Sequence, residues 1–217
     1  MVYSIVVVGT SWGGLNALRE LVGNLPADFR VPTVLVQHRH RESNHLLSTF
    51  LQERTDLRVT EVEDKMPIEQ GTLFIAPADY HLLIDRDVFA LSTDPPVRYS
   101  RPSIDVTFYS AADAYEAATI GVILTGANSD GSRGLRRIFD RGGIALVQEP
   151  TTAESPTMPA AAIRCVPDAR VQTIAQIART LADADARSGA EAAARPPRAS
   201  LDRTDSGPRR AMPPGGT

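Results

Sequence analysis

Apolar residues in this chain gather in short strand-like runs separated by longer stretches with helical spacing. Such runs cover residues 5–8, 34–36, 57–62, 73–75, 121–124 and 144–147. Most of them are continuously apolar, the pattern of strands buried on both faces of a parallel sheet. Apolar positions recur at helical spacing over 14–23, 46–54, 104–118, 135–141 and 174–183. The alternation of strand and helix predicts an α/β fold, a doubly wound and mostly parallel sheet in three α/β/α layers. The rhythm breaks once. Residues 82–84 and 88–91 are two apolar runs joined by Asp85, Arg86 and Asp87, which predicts a β-hairpin over 81–91 as an antiparallel excursion at the sheet edge.

Composition changes near residue 186. The remainder is rich in Pro, Arg, Ala, Gly and Ser and has almost nothing to bury. The expected organisation is one folded domain over 1–185 and a disordered tail over 186–217. A chain of 217 residues can support one sizeable α/β domain. A net charge of −3 and a pI near 5.8 give no reason to expect nucleic acid as a partner. Cys165 is the single cysteine, so no internal disulfide forms and a reducing compartment fits. No apolar run reaches the roughly 18 residues of a membrane span, and the first residues lack a basic signal-peptide region. A cytoplasmic protein without membrane insertion is the expectation.

Chemistry enters at the end of the first strand. Gly9, Ser11 and Gly13 fit the G-x-S-x-G pattern of a nucleophile elbow, in which small residues let the backbone turn sharply and project a hydroxyl. Such a turn stands at the carboxyl edge of the sheet, where α/β folds bind ligands. A helix starting there aims free N–H groups at the place where an oxyanion would develop. Ser11 needs a base, and His38, His40, His45 and His81 are the histidines available. His38 ends the second strand run, one strand over, and is the best placed; His40 lies further into the loop and His81 opens the hairpin. Asp130 follows the strand at 121–124 and supplies an orienting carboxylate on the same edge. An Asp before Gly131 is also a common helix cap, but its shared edge with Ser11 and His38 favours the catalytic role. The chain order Ser, His, Asp, with the elbow after the first strand, is not that of the α/β-hydrolases.

Further signals fall in register with these. They are Gln37-His38, then Ile75-Ala76-Pro77 with His81-Leu82, then Arg101-Pro102-Ser103-Ile104-Asp105 with Phe108, and Thr125-Gly126 with Asp130-Gly131. Met158-Pro159-Ala160-Ala161-Ala162-Ile163 adds another. Together with Gly9–Gly14 they resemble the motifs of the chemotaxis protein-glutamate methylesterases, the CheB catalytic domain, over roughly residues 4–183. The resemblance implies Ser11 as nucleophile, His38 as base and Asp130 as orienting acid. Trp12, Gly13, Thr125 and Ala127 then line the site around the oxyanion, and Arg101 is a candidate for binding substrate. It implies hydrolysis of glutamyl methyl esters on cytoplasmic chemoreceptor domains with release of methanol, deamidation of receptor glutamines, and no metal or organic cofactor. Three departures stand out. Trp12 occupies a position that is usually Thr; the loop 125–131 lacks the methionine and second glycine of typical members, with Asn128 there tolerating positive φ; and the chain starts at the catalytic domain's first strand, without a phosphoacceptor receiver domain.

Two other classes compete. A glycine-rich turn after a first strand can cradle a phosphate, but this one does not fit G-x-G-x-x-G and Trp12 would crowd a pyrophosphate. A metal site on His38, His40 and His45 lacks further ligands. The stronger alternative keeps the fold and changes the role: a methylesterase-like protein with another ester or amide substrate, or an inactive signalling scaffold.

Overall fold

A computed structural model describes residues 3–39 and 46–193. Seven strands form one parallel sheet in the order β3-β4-β2-β1-β7-β8-β9: β1 (Ile5–Thr10), β2 (Thr33–Gln37), β3 (Arg58–Glu61), β4 (Thr72–Ile75), β7 (Thr119–Ile123), β8 (Ile144–Gln148) and β9 (Arg170–Gln172). The helices are α1 (Gly14–Gly23), α2 (Leu46–Gln52), α3 (Ile104–Tyr115), α4 (Ser132–Asp140), α5 (Thr157–Cys165) and α6 (Ile174–Ala193).

The continuous apolar runs have a direct explanation. Side chains alternate across a strand, so Val6 and Val8 join one core with Leu18, Leu21, Ile177 and Leu181 of α1 and α6, while Ile5 and Val7 join a second with Ile104, Phe108, Leu135 and Ile138 of α3 and α4. Both faces are covered, as the doubly wound reading requires.

The hairpin, β5 (His81–Asp85) and β6 (Val88–Ser92), turns at the expected residues but forms its own two-stranded sheet. β3 already holds that edge of the main sheet beside β4. The hairpin instead buries Leu82, Ile84 and Phe89 in the core on the α3 side, and Ile84 N–H donates to Ser110 Oγ at 2.9 Å. α5 and β9 were not in the predicted set; α5 contains a proline and β9 is only three residues long. α6 runs to Ala193, ten residues past the predicted end. Its alanine-rich extension keeps a helical face buried: Ser188 Oγ accepts from Tyr3 N–H at 2.8 Å, and Asp185 pairs with Arg30. The remainder of the proposed tail lies outside the described residues, as do His40 and His45. Cys165 is half-buried. Among the described residues, no helix is long and apolar enough to cross a membrane.

α3 and α4 pack unusually close. A Cβ added at Gly134 would lie 2.4 Å from Phe108 Cβ and 3.1 Å from the Asp105 carbonyl oxygen, so only glycine allows this approach. Gly134→Ala is expected to cost about 1–3 kcal/mol by overpacking, read as a lower urea midpoint at unchanged slope.

Candidate active site

Three neighbouring strands build the site at their carboxyl ends. β1 is the middle one, paired with β2 on one side and β7 on the other. The chain leaves β1 through Ser11, β2 through His38, and β7 into the loop that carries Asp130.

The Ser11 turn is held entirely by main-chain and neighbouring groups. Ser11 N–H donates to the Thr125 carbonyl at 3.0 Å, and Gly14 N–H to the Ser11 carbonyl at 2.9 Å. The Gln37 side-chain amide donates to the carbonyls of both Ser11 (2.9 Å) and His38 (2.8 Å), tying the ends of β1 and β2 together. Gly13 adopts φ 75°, a conformation suited to glycine, and a Cβ there would meet Glu154 Cβ at 2.7 Å. Ser11 Oγ makes no hydrogen bond to a described residue. Neither do the N–H groups of Trp12 and Gly13, which lie at the start of α1.

His38 and Asp130 meet, with Nε2 2.8 Å from Oδ2. The Asp130 carboxyl is held below its ordinary value. Burial works against ionisation, but the hydrogen bond and charge of His38 and the N–H groups of Asp105 and Ile104 outweigh it. An ionised partner requires the proton on Nε2, leaving Nδ1 as the basic nitrogen. Nδ1 faces Asn128 Nδ2 at 3.3 Å and Ser100 Oγ at 3.4 Å. Asp130 is fully buried and accepts further hydrogen bonds from Ser103 Oγ (3.0 Å) and from the N–H groups of Ile104 (2.7 Å), Asp105 (3.1 Å) and Gly131 (3.0 Å). Ser103, Asp130 and His38 thus form one hydrogen-bonded chain. The cap expected on the helix that begins after Gly131 falls on a different helix, and the carboxylate meets His38 where an orienting acid would stand. The helix it caps is α3, whose N-cap Ser103 gives its hydroxyl to Asp130 instead of to its own helix.

The other predicted residues separate into distinct surroundings. Thr125 is buried: its carbonyl takes the Ser11 N–H, and its hydroxyl accepts from Ser155 N–H (2.8 Å) and contacts the Trp12 carbonyl (3.0 Å), which makes it the brace of the turn. Trp12 is 67% exposed, and Ala127 is exposed at the rim. The Arg101 guanidinium donates to Asp79 Oδ1 (2.6 and 3.1 Å) and to the carbonyls of Thr93 (2.7 Å) and Asp94 (3.0 Å), so it straps the 93–101 loop. Arg101 still lines a cleft of about 450 Å³ beside His38, Arg39, Asp79, Tyr99 and Ser100. His81 is a satisfied buried histidine, its Nδ1 accepting from Ser103 N–H at 3.2 Å and its Nε2 lying 3.2 Å from the Pro95 carbonyl. Asn128 does not adopt positive φ; its amide instead bridges His38 Nδ1 and the Asp130 N–H. Sequence reasoning missed Ser100 and Glu154, which lie in loops without a chemical signature. It quoted Gln37, Ser103 and Asp105 inside motifs without assigning them a place in the site. Among the described residues no cluster of His, Cys, Asp and Glu could hold a metal ion.

Comparison with known proteins places this architecture. The CheB methylesterase family model matches residues 6–181. A Leptospira interrogans protein is 43% identical over 179 residues, covering 82% of this chain and 93% of that one. Protein-glutamate methylesterase/protein-glutamine glutaminase 1 of Carboxydothermus hydrogenoformans is 38% identical over 184 residues, 82% of this chain and 54% of that protein. The crystal structure of the Thermotoga maritima CheB methylesterase catalytic domain superposes with a TM-score of 0.81 at 32% identity, covering 84% of this chain and 99% of that one. With matches of this extent in sequence and in fold, the chain belongs to the CheB methylesterase family.

Proposed function

We propose that this chain is a protein-glutamate methylesterase and protein-glutamine glutaminase acting on the cytoplasmic domain of methylated chemoreceptors. The observation that carries the reading is the buried Asp130, its carboxyl held below its ordinary value, bonded to His38 at the exit of the strand next to the one that leads into Ser11, whose hydroxyl bonds to no described residue. Ser11 is the nucleophile in this reading. His38 Nδ1 takes its proton as Oγ attacks the ester carbonyl, and Asp130 stabilises the imidazolium through Nε2. The N–H groups of Trp12 and Gly13 receive the oxyanion. Collapse expels methoxide, protonated from His38, and leaves an acyl-enzyme. Water, deprotonated by the same nitrogen, releases the glutamate carboxylate. With a glutamine substrate the leaving group is ammonia.

Ser103 also bonds to Asp130, but its hydroxyl is fully buried and donates to the carboxylate, so it positions Asp130 and attacks nothing. The long contacts of Asn128 and Ser100 at Nδ1 fit an enzyme without substrate, where catalytic hydrogen bonds are often slack. The test is methanol release from a methylated receptor fragment, with and without prior labelling by a fluorophosphonate. Release that stops on labelling is expected. A chain that labels at Ser11 yet releases no methanol would move the reading to another ester or amide.

A further inference from the structure

Two helix N-termini converge on the candidate triad, and neither is capped by its own residues. The N-cap of α4 is Gly131, with φ 87°; a Cβ there would lie 2.5 Å from Ile104 Cγ2 and 2.6 Å from Ile123 Cδ1. A capping side chain is therefore excluded at that position. The N-cap of α3 is Ser103, whose hydroxyl is given to Asp130. Each helix is served from the other. Asp130, immediately before the α4 N-cap, accepts the first N–H groups of α3, those of Ile104 and Asp105. Asp105, in the first turn of α3, accepts the N–H of Gly134 in the first turn of α4 at 2.8 Å. The missing Cβ of Gly134 is what lets it reach.

We infer that Asp105 is a positioning residue for the reaction: by capping α4 across the helix pair, it fixes the 128–131 turn and so sets where Asp130 meets His38. This rests on the catalytic assignment of His38 and Asp130. The Asp105 side chain is nearly fully buried, makes no hydrogen bond to His38 and lies outside the cleft, so apart from the main-chain N–H that Asp105 gives Asp130 it acts through that turn. Burial pushes its carboxyl up, with the Asp130 charge adding to the rise and the Gly134 N–H and Arg98 opposing it. A group that burial disfavours as an anion serves here as an oxygen acceptor, and a neutral amide oxygen can take its place. The sign of the test follows. The alanine side chain loses the acceptor, whereas asparagine keeps one.

The experiment compares Asp105→Ala and Asp105→Asn by the rate of fluorophosphonate labelling at Ser11, by kcat and KM for methyl ester, and by the downfield proton resonance of His38 Nε2–H. Asp105→Ala is expected to lower kcat and labelling rate about 10- to 100-fold, the scale of a displacement near 1 Å, with KM within about threefold. Its Nε2–H resonance moves or is lost. Asp105→Asn is expected to stay within about fivefold of the native rate and to keep the resonance. Asp105→Ser, too short to reach Gly134, replaces the alanine variant if that one does not fold. A truncated variant with native kcat and an unmoved resonance overturns the inference, and so does an asparagine variant as impaired as alanine. The resonance is read without substrate, so absence of methanol release by the native chain would count against the proposed function and leave this test standing.

Discussion

Ser11→Ala is expected to lower methyl ester hydrolysis by at least about 10³-fold while leaving the folded state intact. The separation follows from how the turn is built. Its hydrogen bonds use the Ser11 N–H and carbonyl, the Thr125 carbonyl and the Gln37 amide, and none uses Ser11 Oγ. Alanine keeps all of them and loses only the attacking atom. Ser103→Ala is the informative contrast. It removes one of several donors to Asp130, and His38 together with the N–H groups of Ile104, Asp105 and Gly131 still hold the carboxylate. Its cost is expected to be near one hydrogen bond to a charged group, about tenfold in rate. Measuring kcat for both variants, with circular dichroism and thermal melts as controls, decides which serine attacks. Residual activity in Ser11→Ala above the uncatalysed rate is expected, because the oxyanion donors and Asp130 survive. A Ser11→Ala variant with near-native turnover would remove Ser11 from the chemistry.

The contrast between these serines also shows what a sequence exposes. Strands buried on both faces write themselves as apolar runs, so β1, β2, β4, β7 and β8 and the sheet edge they share were legible. Once that edge was known, Ser11, His38 and Asp130 followed as the candidate reactive residues at three strand exits. The hydrogen bond between His38 and Asp130 was therefore an inference from topology, and the structure contains it. What did not show was the direction of a hydroxyl. Ser103 reads as an ordinary helix cap, and nothing in one dimension says that its Oγ leaves its own helix for a carboxylate 27 residues on. Arg101 is the converse. An arginine beside a cleft suggests a substrate contact, but its donors are engaged by Asp79 and two carbonyls of its own loop. Hydrogen-bond partners chosen across long separations carry no local pattern, and pairings such as Asp105 with Gly134 are visible only in three dimensions.

Asp130→Asn is expected to damage both rate and stability. With the orienting carboxylate gone, turnover should fall about 10⁴-fold, because His38 loses the partner that fixes its tautomer and stabilises its cation. Stability falls for a separate reason. Oδ1 accepts the N–H groups of Asp105 and Gly131, and Oδ2 accepts that of Ile104. An asparagine must aim its NH₂ at one set or the other, leaving at least one buried donor unsatisfied at about 1–3 kcal/mol. The pH dependence gives an independent check. The Asp130 carboxyl sits below its ordinary value of 3.8 in the folded state, where burial is outweighed by His38 and the helix N–H groups. A carboxyl depressed by folding contributes stability above its unfolded value, and that contribution is lost as pH falls through the folded one. The native chain should therefore lose this term on acidification below its ordinary value, while Asp130→Asn has no such term to lose. Urea midpoints of the two proteins should differ most near neutrality and converge as the pH is lowered. A gap that stays constant across that range, or an asparagine variant with native stability, would mean that Asp130 is not held as an anion between the two helices. The expected convergence would tie activity and folding to one carboxylate: the group that orients His38 is also the cap of α3, so position 130 cannot be changed for one purpose without disturbing the other, whereas position 11 can.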